Sequence, residues 1–391
     1  MLRRALPLLV VASLWGGSSA GAQQYVDPTP PWPQLLPPGP TADNRQPGPA
    51  PGCERASIAC VERVARRLRQ FRDGYGCDHR AVFSTTYMIV TEVIRDTLVD
   101  EPSFYEDRDW LIYQDALFAD YYFRVLEARE AGQPLPEAWR IAFDTAETGD
   151  ANAAQDMLLG INAHVQRDMP FVLAEVGLRK PDGSSRKRDH DAGNELLERS
   201  YEPIVQEIGR RYDPIVTTSN ASWHPADDLA GLHLVAEWRE EVWRNAERLV
   251  EAKTPQERAV ITQQIEDNAA AWASSIAGFP QQPGYRQVRD AYCAEALARE
   301  RAGGGSARWA RLSASRACHR RVRAAVRGRG IRRVRFSLRR TGVRKTVRRP
   351  GRRGRFLFRA RPRPGRYRVV ARVRFADGSR DVLRRAVRVC R

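Results

Sequence analysis

The stretch TPQERAVITQQIEDNAAAWASSIAGF, Thr254 to Phe279, decides the fold class. Thr254 stands at an N-cap, and Pro255 takes the first helical position, where its missing N–H is no loss. Glu257 completes a capping box and Gly278 stops the run. The same helical spacing of apolar residues recurs along most of the chain. It predicts further helices near 54–73, 79–98, 107–131, 135–148, 151–178, 187–211, 225–252 and 285–300, which together make a multi-helix bundle over 53–301.

After AGGGSA (302–307), read as part of a Gly-rich linker over 302–317, the period changes to two. Val334, Phe336 and Leu338 alternate with Arg335, Ser337 and Arg339, and Tyr367, Val369, Ala371, Val373 and Phe375 alternate in the same way. Turn signals recur at Thr341-Gly342, Pro350-Gly351, Pro364-Gly365 and Asp377-Gly378. The expected fold is therefore mainly α, a helical bundle followed by a small C-terminal all-β sandwich over 318–391. Cys318 and Cys390 bracket that unit. A bridge between them would contribute roughly 4 kcal/mol by loop closure.

The N-terminus reads as a signal peptide over 1–22. Arg3 and Arg4 precede an apolar run from Leu6 to Trp15, and Ala20-Gly21-Ala22 offers a cleavage site. The expected location is secreted, in the medium or on the cell surface. Residues 23–52 read as a Pro-rich disordered linker. No later run reaches the ~18 apolar residues of a transmembrane helix. An even count of six cysteines behind an export signal favours disulfides, with the pairing of Cys53, Cys60, Cys77 and Cys293 left open.

Charge is concentrated at one end. Residues 318–391 hold 29 Lys and Arg against 2 Asp and Glu, which leaves 36 against 45 in the rest. A face this basic suits an anionic cell-surface polymer or lipid headgroups. The aromatic residues fall on the buried alternation, so no base-stacking platform and no specific nucleic-acid partner is expected. The basic unit could also dock on the acidic helical part of its own chain.

The chemistry-bearing candidates lie in three helices. Met157, Ile161, His164, Asp168, Phe171 and Ala174 form one stripe, and Pro170 leaves the Gln166 carbonyl without its helical donor beside Asp168. His190, Asn194, Leu197, Tyr201, Ile204 and Ile208 form a second stripe, and His79 opens a third with Phe83 and Tyr87. An inward carboxylate needs a partner; in a buried hydrogen-bond network Arg124 could pair with Asp168, and Gln114 and Asn162 could serve His164. Three chemistries fit. His164, Asp168, His190 and His79 could bind a divalent metal such as zinc and activate water. Asp168 could orient His164 as a metal-free general base. The cluster could equally be a buried hydrogen-bond network.

The stretches GCDHRAVFSTTYMIVTEVI, FADYYF, AWRIAF, GINAHVQRDMP, RDHDAGNELL and WREEVWRNAERL together resemble the bacterial family known as domain of unknown function 5995, over roughly 55–300. The resemblance implies that Asn162, His164, Asp168, Asp189 and Asn194 belong to a family signature. It implies no mechanism. The tail is similar in strand pattern to small immunoglobulin-like modules with terminal cysteines. Two functions follow as expectations. One is a secreted metal-dependent hydrolase whose site comprises His164, Asp168, His190, Asn194, Asn162 and Asp189. The other is a non-enzymatic secreted protein that binds a ligand or partner and whose polar cluster is structural.

Overall fold

Why a helix rich in threonine can sit at the centre of the bundle is answered by its own backbone. Thr85, Thr86 and Thr91 are buried, and their hydroxyls donate to the carbonyls of Ala81, Val82 and Tyr87, one turn back. This helix, α2 (Arg80–Asp100), packs against α1 (Ile58–Tyr75). The computed structural model describes residues 50–218, 225–301, 309–314, 319–339, 341–351, 354–376 and 380–390. The expected signal peptide, the expected Pro-rich linker up to residue 49, the AGGGSA break and Cys318 lie outside the described residues.

The bundle continues with α3 (Arg108–Glu130), α4 (Glu137–Thr148), α5 (Ala153–Asn162), α6 (Met169–Val176), α7 (Lys187–Arg211), α8 (Ile215–Thr218), α9 (Pro225–Glu251), α10 (Pro255–Ala277) and α11 (Tyr285–Arg301). The expected capping box of α10 forms, with Glu257 N–H donating to Thr254 Oγ1 at 3.1 Å. The single helix expected over 151–178 is divided. Between α5 and α6 the chain makes a π-helical turn, Ala163–Asp168, in which Met169 N–H donates to the His164 carbonyl five residues back. Pro170 has no N–H to give, and the wider turn carries the helix past it. At the end of α5, a Cβ on Gly160 would come within 2.3 Å of the Phe83 ring, so only glycine lets α5 and α2 approach this closely.

Two disulfides close the helical part, Cys53–Cys60 and Cys77–Cys293. The second spans 216 residues and ties the α1–α2 corner to the last helix. Chain-entropy reasoning gives it roughly 5 kcal/mol. Cys390 is also disulfide-bonded.

The C-terminal part forms two antiparallel sheets. One has the order β1 (Trp309–Ala314), β2 (Val322–Arg329), β5 (Phe356–Ala360). The other has β4 (Arg344–Val347), β3 (Ile331–Leu338), β6 (Gly365–Phe375), β7 (Arg380–Val389). Phe336 and Phe358 stack between them, with ring centroids 5.2 Å apart, in one buried apolar cluster. The expected immunoglobulin-like module is corrected here. The strands form two open sheets rather than a closed immunoglobulin-like sandwich. Alternation of side chains fixes which face of a strand is buried and says nothing of how sheets close. The β region also begins earlier than expected, because Trp309–Ala314, read as linker, pairs along its whole length with β2.

Part of the tail's charge is spent inside the molecule. Arg327 reaches Asp96 at 2.9 Å and Asp100 at 3.1 Å, Arg311 lies 3.5 Å from Asp96, and Arg355 pairs with Asp100. Arg385 lies 3.5 Å from Glu195 on α7. The double substitution Asp96→Asn/Asp100→Asn strands these half-buried guanidinium groups. It is expected to cost roughly 2–4 kcal/mol and to expose the β region to trypsin under native conditions. Unchanged digestion of folded protein would show that the ion pairs do not hold the two parts together.

Candidate functional site

Four residues apart on the helix, His164 and Asp168 face each other within the π turn. His164 Nδ1 lies 3.0 Å from Asp168 Oδ2, and both side chains are buried. Asp168 also accepts from Trp139 Nε1 at 3.0 Å and from Arg167 at 2.9 Å. A carboxylate already accepting two donors takes a third, so Nδ1 carries the hydrogen and Nε2 keeps its lone pair. The ring stacks on Phe118 at 3.5 Å between centroids and contacts Tyr87 at 4.7 Å. Burial lowers the imidazole below its usual range, with Asp168 opposing the shift. His164 is thus a neutral base.

Arg167, rather than Arg124, is the partner of Asp168. Arg124 pairs with Asp120 on the exposed side of α3. The charge comes from the adjacent residue, Arg167, which also reaches Glu266 at 2.8 Å. Asn162 donates to the Ala269 carbonyl at 2.8 Å and accepts from Gln166, which ties α5 to α10. It does not serve His164.

His190 is held differently. Its Nε2 lies 2.9 Å from the Arg239 carbonyl, which can only accept, so Nε2 donates and Nδ1 is bare. Burial, and then the Arg239 charge, hold this ring well below its usual pKa. Arg239 reaches Asn194 Oδ1 at 2.7 Å and bonds the His190 carbonyl. Its guanidinium lies so close to Gly193 that a Cβ there would meet it at 2.6 Å. Asp189 accepts the backbone N–H groups of Glu106 and Asp107 at 2.8 and 2.6 Å, fixing the loop before α3. His79 lies elsewhere, paired with buried Asp156 at 2.7 Å and 3.7 Å from Asp290. Among the described residues no group of three or more His, Cys, Asp or Glu side chains could hold a metal ion.

His164 and His190 instead line one cavity of about 200 Å³. Its wall is apolar, from Phe83, Phe118 and Leu196 in the interior to half-buried Val90, Ile94, Ile161 and Leu197 at its edge. Six polar atoms of its lining residues have no hydrogen-bond partner among the described residues: His164 Nε2, His190 Nδ1, Gln114 Oε1, Asp115 Oδ2 and the hydroxyls of Tyr87 and Tyr105. Unpaired buried polar atoms cost about 1–3 kcal/mol each. Their convergence on one space marks the site. Sequence reasoning found the histidines but missed Asp115, Tyr105 and Arg239. Asp115 was visible as a lone acid in the otherwise apolar run LIYQDALF, and Arg239 as the basic residue beside Trp238.

The model of a family of unknown function, DUF5995, matches residues 61–278. The chain belongs to this family. The DUF5995 match covers all the residues that line the cavity and ends before α11 and the β region. No curated protein and no solved structure matches the chain.

Burial pushes the Asp115 carboxyl up to about 7, against about 3.9 in an unfolded chain. The folded state therefore holds the proton more tightly. This contribution to stability is full below about pH 4 and is lost as pH rises through about 7. Asp115→Asn, which mimics the neutral carboxyl, is expected to match the parent near pH 4 and to exceed it by about 4 kcal/mol above pH 8. Urea unfolding at pH 4, 6 and 8 reads this directly, and a gap that stays constant across the three would contradict it.

Proposed function

We propose that the protein is a secreted binding protein whose helical domain takes up a small, largely apolar ligand. The observation that carries this reading is the 200 Å³ cavity with six unsatisfied polar atoms in its lining. A dry cavity of about 150 Å³ accepts benzene, so the ligand is on the order of one substituted ring. Pockets of this kind combine an apolar wall with a few polar groups that fix orientation. The metal-dependent hydrolase reading finds less support, because His79 belongs to a separate cluster and His190 Nε2 is already committed to a carbonyl. Export is supported by the disulfides, which persist in oxidising compartments, and no helix among the described residues is long and apolar enough to cross a membrane.

In this reading the β region holds the protein against an anionic polymer or headgroup surface. Arg335 stands directly across from Arg372, and Arg333 from Arg374, on the β3–β6 pair. Like charges opposite one another on a sheet repel, and an external polyanion relieves that repulsion. A groove of about 1250 Å³ beside the α2–α3 loop adds Arg320, Arg321, Arg323, Arg359 and Arg388.

Thermal unfolding with and without neutral one-ring aromatics tests the first half. A saturable rise in Tm is expected in the parent, and none in Leu197→Trp, which fills the cavity edge. A parent that melts alike in all of them would remove the binding reading. For the second half, retention on a polyphosphate resin is expected to fall steeply with salt and to weaken in Arg335→Glu/Arg372→Glu. Retention indifferent to salt would exclude an electrostatic tether.

A further inference from the structure

We infer that the ligand of this cavity is a neutral hydroxyl compound, a phenol or cyclic alcohol, whose O–H donates to the bare ring nitrogen of His164 or His190. The inference rests on the binding reading above and specifies the polar end of the ligand. The unsatisfied atoms are of unequal kind. His164 Nε2, His190 Nδ1 and Gln114 Oε1 can only accept, since each imidazole has its hydrogen fixed on the other nitrogen by Asp168 or by the Arg239 carbonyl. Three of the six atoms are therefore acceptors alone, left unserved by the Tyr87 and Tyr105 hydroxyls, and a ligand must bring a donor to satisfy them.

Charge narrows the class. A ligand amine would bring donors and could meet the Asp115 carboxyl, but as a cation it would also face the Arg239 guanidinium, which is buried and lines the same space. A carboxylate would suit Arg239 yet bring acceptors only, leaving both imidazole lone pairs and Gln114 Oε1 unserved and facing a negative charge. A hydroxyl meets both demands. It donates to an imidazole and accepts from Arg239 or from the Tyr87 or Tyr105 hydroxyl, and it carries no charge into a low-dielectric site. The site's shape does not distinguish a hydroxyl from a methyl group, so the selection falls to the hydrogen bond. A site with buried acceptors rejects the isostere that leaves them unpaired.

Isothermal titration with p-cresol, p-xylene, 4-methylanisole and p-toluate at pH 7.5 tests this, because the first two differ only in hydroxyl against methyl. p-Cresol is expected to bind at least about tenfold more tightly than p-xylene or 4-methylanisole, the effect of one well-made bond in a buried site, and more tightly than p-toluate. In His164→Leu or His190→Leu, the preference for p-cresol over p-xylene is expected to fall toward one while p-xylene still binds. If neither variant folds, the comparison of ligands on the parent decides alone. Equal binding of p-cresol and p-xylene would overturn the inference and leave the cavity as an apolar site whose acceptors are served by water. Tightest binding of p-toluate would overturn it in favour of an anion selected by Arg239. If none of the four binds, the ligand reading itself fails and this inference with it.

Discussion

Pro170 has no N–H to donate, and much of the interior follows from that. The helix that carries His164 passes the gap by widening into a π turn, and within that turn Asp168 meets the His164 ring. With Arg167 and Trp139 also bound to the carboxylate, the negative charge is matched and the imidazole is locked in one tautomer and one orientation. The outer ring nitrogen is then left to the cavity.

The helical half of the fold was legible because its signals are local. The capping box at Thr254, the 3.6-residue stripes and the Gly278 stop all act within a few residues of one another. His164 and Asp168 were legible for the same reason, lying four apart on an apolar stripe. What was not legible depends on residues distant in sequence. Asp115 and Arg239 lie 124 positions apart and meet the cavity from α3 and α9, and nothing within either helix announces the shared space. Arg124 misled because helical spacing places a residue on a face only to within a partial turn; the structure turns it outward to Asp120. The immunoglobulin-like reading failed for a related reason, since a strand's alternation is local and the closure of sheets is not.

The basic tail divides its charge between two tasks. Arg311, Arg327, Arg355 and Arg385 meet acids on α2 and α7 and join the β region to the bundle. On β3 and β6, Arg335 faces Arg372 and Arg333 faces Arg374 across the strands. The acidic balance of the helical part is thus partly a counterpart to its own tail.

The Cys77–Cys293 bridge has a mechanical consequence. Every residue that lines the cavity, from Phe83 to Arg239, lies between those two cysteines. A pull applied between the two ends of the chain would travel from the first helix through the sulfur bond into α11 and on to the β region. Along the covalent chain it would bypass the loop that holds the cavity, which the β region reaches through its ion pairs with α2 and α7. The 216-residue loop between the two cysteines would stay slack along that path while the rest bore the tension.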